Sequence, residues 1–170
     1  MNKKILGIAV TLLLAAMFVA PALAAPATKI EGVTLTFAAI TVPNPGYQRI
    51  VDHTIMHTKG TSHGSVTLTI PGQDPLVGDW DAEWVGRNKW SNYPDQDPEA
   101  ELIITSKVVL TFTGGTFEGV GQRRITGWPV PSYFEDHMVL QGTGDFKGQT
   151  LKLSYEGPPP PVAEGYLIIP

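Results

Sequence analysis

Apolar and polar side chains alternate at every second position over much of the chain, and glycine or proline interrupts the alternation every eight to twelve residues. The clearest case is residues 79–84, where Trp80, Ala82 and Trp84 alternate with three acidic residues. Because successive side chains of a strand point to opposite faces, we expect the aromatic row to be buried and the acidic row to be exposed. This period of two predicts an all-β domain.

The spacing of the turn residues predicts nine strands. We expect them at residues 28–42, 47–58, 65–70, 78–90, 102–112, 116–126, 134–141, 150–155 and 162–169, with a turn at residues 59–62. Consecutive strands joined by short turns are typical of a single antiparallel meander. Closing the meander into a barrel of about eight strands removes its exposed edges. A β-sandwich is the alternative architecture for the same pattern.

The first 24 residues differ from the rest. Lys3 and Lys4 precede an apolar run over residues 5–19, which is followed by Pro21 and by Ala22-Leu23-Ala24. This is the pattern of a secretory signal peptide, and a run of about 15 residues is shorter than the roughly 20 needed to span a bilayer as a helix. We expect cleavage after Ala24 and a secreted or extracytoplasmic β-barrel domain over residues 25–170 with no stable membrane insertion. Retention of the segment as an anchor is the alternative.

Composition narrows the classes of function. The chain has no cysteine, which excludes disulfides, thiol catalysis and cysteine-ligated metals. The net charge is −4, and it becomes −6 when the two lysines of the signal are removed. An acidic domain with no basic cluster is a poor candidate for binding nucleic acid or anionic lipid.

Two segments share a glycine, a phenylalanine two residues later, and a further glycine. They are Gly115-Thr116-Phe117-Glu118-Gly119 and Gly144-Asp145-Phe146-Lys147-Gly148. This pattern resembles the strand starts of the allene oxide cyclase-like barrel group, which includes dirigent proteins. The resemblance implies a barrel with an internal cavity for an apolar small molecule, and it implies oligomerisation. The active-site residues of the cyclase cannot be placed on this chain, so its activity is not carried over.

No pattern in the chain predicts a catalytic or metal site. Residues 60–64 match the G-x-S-x-G nucleophile elbow, but the elbow needs a helix after the serine and residues 65–70 predict a strand. His53, His57 and His63 cluster in sequence, but on a strand His53 and His57 are roughly 13 Å apart, which is too far for shared coordination. His57 and His63 face each other across the predicted hairpin, and this pair lacks a third ligand in any predictable place. We therefore expect neither a metal nor a cofactor.

The remaining prediction is a barrel that binds a small apolar or amphipathic molecule without catalysis. The candidate ligand-binding residues are His53, His57, Trp80, Trp84 and Phe117. One alternative is an extracellular structural or interaction module with a filled core. The other is an isomerase or cyclase on the same barrel, which needs a carboxylate or histidine inside it; its candidates are Glu118, Glu83 and His53.

Overall fold

The computed structural model describes residues 26–41, 48–51, 55–89, 100–127, 133–158 and 162–170, and these residues form nine antiparallel strands and no α-helix. The strands are β1 (Thr28–Thr41), β2 (Gln48–Val51), β3 (Ile55–Thr69), β4 (Leu76–Lys89), β5 (Glu101–Phe112), β6 (Gly115–Thr126), β7 (Tyr133–Gly142), β8 (Thr150–Gly157) and β9 (Val162–Ile169). One 3-10 turn, Gly144–Phe146, lies between β7 and β8. The all-β prediction is confirmed.

Eight of the strands close into a barrel. Neighbours in sequence pair from β3 to β9, β9 pairs with β1, and β1 pairs with β3 to complete the circle. The short β2 pairs with β3 beyond the end of β1. The barrel prediction is therefore confirmed over the sandwich.

The register gives the barrel a large stagger. A path from Lys59 across successive hydrogen-bonded neighbours returns to β3 at Thr69, ten residues further along that strand. An eight-stranded barrel with a shear of eight is filled by its own side chains. A stagger of ten tilts the strands more steeply and widens the interior.

Strand positions agree with the sequence-based predictions to within a few residues, with one exception. The predicted turn at residues 59–62 is wrong, because β3 runs without interruption through Gly60. A Cβ atom at Gly60 would lie 2.6 Å from Cζ2 of Trp84, which stands directly opposite on β4. The glycine therefore permits close approach of an aromatic ring to the backbone, and it does not mark a reversal of the chain.

The two ends of the barrel carry different connections. At one end, which we call the lower end, the strands join through residues 70–75, 113–114 and 143–149, and all of these are described. At the opposite, upper end, the strands lead into residues 42–47, 52–54, 90–99, 128–132 and 159–161, which lie outside the described residues. The described strands and turns thus establish how the lower end is closed.

An apolar core fills the lower half of the barrel. Its inward-facing side chains have at most 1% of their surface exposed at Leu35, Leu68, Leu110, Phe117, Leu140, Leu151 and Leu167. The alternation along β4 follows the prediction: Trp80 and Ala82 are buried, Trp84 is partly buried, and Asp79, Asp81 and Glu83 are exposed on the outer face.

The two Gly–Phe segments meet at the lower end. The rings of Phe117 and Phe146 are stacked with centroids 4.8 Å apart, and Phe112 packs edge-on against both. The backbone N–H of Asp145 donates to the carbonyl of Gly114 at 2.9 Å. Gly144 has a φ of +58°, and a Cβ there would lie 2.3 Å from the same carbonyl oxygen, so only glycine fits. The repeated motif therefore forms the plug of the lower end.

Candidate functional site

The upper half of the barrel interior mixes polar and aromatic side chains. We call this group the upper layer; it consists of the inward-facing residues Thr58, Trp84, Asn88, Ile104, Arg123, Phe134, Asp136 and Tyr155. They continue the alternation that places the core residues inside on the same strands. Trp84, Ile104, Arg123, Phe134 and Tyr155 remain partly exposed. These five side chains are therefore less completely covered than those of the lower core, although Leu102 and Ile125 in the same half are only 3% and 5% exposed.

Arg123 and Asp136 form an ion pair inside the barrel. They face each other on β6 and β7. The Nε of Arg123 donates to both carboxylate oxygens of Asp136, at 2.7 and 2.9 Å, and its Nη2 donates to Oδ2 at 2.7 Å. The side chain of Asp136 is 5% exposed and that of Arg123 is 30% exposed. The guanidinium carbon also lies 5.6 Å from the ring centroid of Phe134, within cation–π range.

Asn88 is the unusual member of the upper layer. It faces inward near the end of β4, directly opposite Leu102, and its relative exposure is 0%. Neither its Nδ2 nor its Oδ1 has a hydrogen-bond partner among the described residues. Leaving a buried polar group unsatisfied costs roughly 1–3 kcal/mol. Among the described residues, the amide of Asn88 is therefore a destabilising feature of the barrel interior.

Trp84 supplies a flat apolar surface to the same region. Its ring lies against the backbone of Gly60 from the inside of the barrel, and it stays partly exposed. On its other side stands Ser106, whose Oγ donates to the carbonyl of Gly121 at 3.3 Å. The hydroxyl is thus engaged with the wall, and the indole ring is partly exposed.

The predicted ligand-binding residues are distributed over several environments. Trp84 lies in the upper layer. Phe117 is part of the plug, and Trp80 is buried in the lower core, where its Nε1 donates to Ser62 Oγ at 3.3 Å. His57 is exposed on the outer face of β3, because odd-numbered positions of this strand point away from the interior. His53 lies outside the described residues.

The candidate groups for catalysis do not converge. Ser62 points inward while its neighbour His63 points outward, with its Nδ1 3.7 Å from a carboxylate oxygen of Asp81. Glu83 and Glu118 are exposed on the outer face. Among the described strand residues, Asp136 is the one carboxylate that faces the interior. The same residues contain no group of three or more His, Asp or Glu side chains arranged to hold a metal ion.

Sequence reasoning missed Asn88, Arg123 and Asp136. The alternation of buried and exposed positions along each strand does indicate that these three residues face inward. Asn88 is in phase with Trp80 and Trp84 on β4, as Arg123 is with Phe117 on β6. A polar residue in phase with a buried row predicts a polar group inside the barrel. That Arg123 meets Asp136 required the register of β6 and β7.

A concave region lies on the outer face of the barrel. This outer groove crosses β3 to β6 and has a volume of about 700 Å³; it is lined by Lys59, Gly60, Thr61, Glu83, Trp84, Val85, Thr105, Ser106, Lys107 and Val120. Most of its walls are exposed side chains of both charges and two exposed valines, Val85 and Val120, and its floor includes the inward-facing Trp84 and Ser106. None of the described side chains that line it is a buried, unpartnered polar group. The groove therefore shows no feature that selects a ligand.

Comparison of the chain with protein-family models, with curated proteins and with solved structures finds no match. The geometry of the barrel is therefore the basis for assigning a function. Within the described ranges, no helix has the length and apolar character required to cross a membrane.

Proposed function

We propose that this protein is a non-catalytic binding protein that holds a small amphipathic molecule in the upper half of its barrel. One observation carries the proposal: five inward-facing side chains of the upper layer remain partly exposed, and three of them are aromatic; they are Trp84, Ile104, Arg123, Phe134 and Tyr155. Partly exposed apolar surface beside a few polar groups is the arrangement found in ligand sites.

The composition of the upper layer supports an amphipathic ligand. Trp84, Ile104, Phe134 and Tyr155 offer partly exposed apolar surface, and covering such surface contributes roughly 25 cal/mol per Å². Arg123, whose side chain is 30% exposed, offers N–H donors for a polar group of the ligand. Ligand sites in proteins combine an apolar lining with a few placed polar groups in this way.

The proposal of binding without catalysis is supported by the contacts of Asp136, the one carboxylate that faces the interior among the described strand residues. Both oxygens of Asp136 accept hydrogen bonds from Arg123. Each oxygen of this carboxylate therefore already has a hydrogen-bond donor within the wall of the barrel. The partner of Asp136 therefore assigns the pair to a structural role in the wall of the site.

The proposal also places the protein outside the cytoplasm. Residues 1–24 carry the signal-peptide pattern, and they lie outside the described residues. Expression of the full chain in a bacterial host, followed by intact-mass measurement of the exported fraction, tests this. A mass that begins at Ala25 supports export with cleavage, whereas a full-length mass in the membrane fraction supports the anchor alternative.

Native mass spectrometry of residues 25–170, purified from a native host and followed by denaturing extraction, tests the binding function. The expected result is an extra mass that is released as a small organic molecule, and the same spectrum gives the oligomeric state. A bare polypeptide mass, together with no binding of the fluorescent probe 1-anilinonaphthalene-8-sulfonate, would replace the proposal with a structural module that has a filled core.

A further inference from the structure

We infer that the outer face of β4 is the contact surface of a symmetric dimer, in which two copies of this chain pack with their β4 strands antiparallel. The surface lies on the side wall of the barrel, apart from the interior site proposed above. The dimer and the binding of a ligand inside the barrel are therefore independent of each other.

The outward side chains of β4 change sign halfway along the strand. They are exposed at every second position and read, from the lower end to the upper end, Asp79, Asp81, Glu83, Val85, Arg87 and Lys89. Val85, at the change of sign, is 60% exposed. The outer face of this strand is thus acidic below Val85 and basic above it.

Most of these charges are not neutralised within the described part of the chain. Glu83, Arg87 and Lys89 take part in none of its ion pairs, although Lys107 stands opposite Glu83 on β5. Glu101 stands opposite Lys89, but its carboxylate is bound by an arginine of β6. Four residues of a strand span roughly 13 Å, so Glu83 and Arg87 of one copy cannot pair with each other.

A two-fold axis at Val85 matches this row of charges with a second copy of itself. The axis lies in the plane of contact and crosses β4 at a right angle, so each position meets the one equally far beyond Val85 in the other copy. Glu83 then faces Arg87 of the second copy, and Asp81 faces Lys89 of the second copy. Symmetry makes each of these contacts twice, and the two copies of Val85 meet at the centre.

The charge order selects the partner. A molecule that covers this face has to present basic groups to the acidic half and acidic groups to the basic half, at the spacing of alternate strand residues. A second copy of the chain, turned antiparallel, presents both. Lys59, which stands opposite Val85 on β3, approaches its own copy near the axis. The arrangement thus has one like-charge contact against four contacts between opposite charges.

The outer groove gives the long side chains room to interdigitate. Glu83 and Val85 line the groove, which has a volume of about 700 Å³, whereas Arg87 lies beside it at the next outward position of β4. In the dimer, Arg87 of each copy extends into the groove of the other copy. There its guanidinium meets the carboxylate of Glu83, and its apolar stem covers Val85.

The net charge of the protein opposes association at long range only. It is −6 for residues 25–170, which is −4 for the whole chain less the two lysines of the signal. The centres of two such domains lie roughly 30 Å apart. A Debye length of about 10 Å at 0.1 M salt screens that repulsion and preserves contacts of about 4 Å, whereas the length of about 3 Å at 1 M weakens the contacts as well. The dimer should therefore be more stable at 0.1 M than at 1 M.

Sedimentation velocity of residues 25–170 over a range of protein concentrations tests the dimer. We expect a monomer–dimer equilibrium whose dissociation constant rises at least about tenfold between about 0.1 M and about 1 M salt. A trimer, or a dimer that does not respond to salt, would overturn the inference. Monomers at every concentration, with the protein instead retained on heparin resin, would also overturn it and would assign the basic half to a polyanionic partner.

Reversal of one charge at a time tests the two-fold arrangement. Glu83→Arg and Arg87→Glu each place like charges at two contacts of the dimer, and each should raise the dissociation constant at least about tenfold. An equimolar mixture of the two variants should form a heterodimer, because one variant is basic and the other acidic at both positions. A mixture that stays monomeric would overturn the arrangement, and its association would show that both variants fold.

The matched control is Glu164→Arg, which makes the same change of charge at an exposed position of β9. It should leave the dissociation constant within about twofold, because β9 is separated from β4 by β3 and β1 around the barrel. A control that weakens the dimer as much as Glu83→Arg would show that net charge governs association, and the surface assigned to β4 would be wrong.

Discussion

The lower and upper halves of the barrel are built from the same strands and have opposite interiors. On β6, Phe117 in the lower half is 0% exposed and stacks on Phe146, whereas Arg123 in the upper half is 30% exposed and binds a carboxylate. On β4, Trp80 is sealed in the core and Trp84 lies against Gly60 with part of its surface exposed. The apolar core thus lies at one level of the strands, and the site that we propose for binding lies at another.

The largest expected loss of stability comes from a substitution in the lower half of the barrel. Phe117→Ala removes the ring that stacks on Phe146 and contacts Phe112, and the surrounding β-strands cannot collapse into the space. We expect the free energy of unfolding to fall by about 3–5 kcal/mol, a large fraction of the stability of a typical domain. Chemical denaturation of residues 25–170 measures this.

The control for that variant is Val120→Ala, on the same strand with a side chain that is 58% exposed. Its effect should stay within about 0.5 kcal/mol, because it is a surface substitution. A loss below about 1 kcal/mol for Phe117→Ala would show that the lower half is not the stabilising half, and the contrast between the two halves would fail.

The second largest loss of stability is expected from a substitution in the upper half of the barrel. Asp136→Ala leaves the guanidinium of Arg123 inside the barrel without its carboxylate. Breaking a buried ion pair costs 3–5 kcal/mol, and the 30% exposure of Arg123 lowers our expectation to about 2–3 kcal/mol. The loss should be smaller than for Phe117→Ala and should be measured under the same denaturing conditions.

The double variant Arg123→Met with Asp136→Leu should recover most of that loss, because an apolar pair of similar size leaves no buried charge. Arg124→Ala breaks an ion pair with Glu101 on the outer face, where the arginine is 57% exposed, and should cost less than about 1 kcal/mol. Equal losses for Asp136→Ala and Arg124→Ala would mean that the inner pair is as solvated as the outer one.

A third, smaller loss of stability is expected at Gly60, where β3 separates the interior from the outer groove. Gly60→Ala places a Cβ 2.6 Å from Cζ2 of Trp84, so the ring has to move. We expect a loss of about 1–3 kcal/mol and a shift of the tryptophan emission maximum. In a Trp84→Ala background the same substitution should cost less than half as much. An unchanged cost there would show that Gly60 does not act through the indole ring.

Much of this fold can be predicted from the alternation of apolar and polar residues alone, because the apolar positions of each strand mark the face that is buried. The bounds of β9 and the core position of Trp80 are examples. Gly60 shows the limit. A glycine between two strand-like runs predicts a turn equally well, and only the ring of Trp84, 24 positions later, explains why β3 continues.

The upper layer shows a second limit. A polar residue in phase with a buried row is visible in the sequence, as Asn88 is on β4. The sequence does not show which other side chain such a residue contacts, because that depends on the register of several strands. Arg123 meets Asp136 only because β6 and β7 align these positions, 13 residues apart. Local pattern therefore predicts which side chains face inward, and tertiary geometry determines which of them meet.

The smallest expected effect is on the outer face at the upper end, where Tyr133 begins β7. A hydrogen bond from its hydroxyl to Glu156, together with desolvation and the charge of Glu156, raises the pKa of Tyr133 from 10.0 to about 12. The neutral phenol is favoured in the folded protein, so this contribution is present below pH 10 and is lost as the pH rises through about 12.

Glu156→Gln should lower the pKa of Tyr133 towards 10.0, as measured by tyrosinate absorbance, with Tyr133→Phe identifying the signal among the five tyrosines. Glu118→Gln removes another exposed glutamate, whose carboxylate accepts from Thr116, and should leave the titration unchanged. Because Tyr133 is 38% exposed, neither variant should alter stability measurably at neutral pH. A shift in denaturation midpoint with Glu156→Gln would mean that the outer face at the upper end shares the structural role assigned here to the interior.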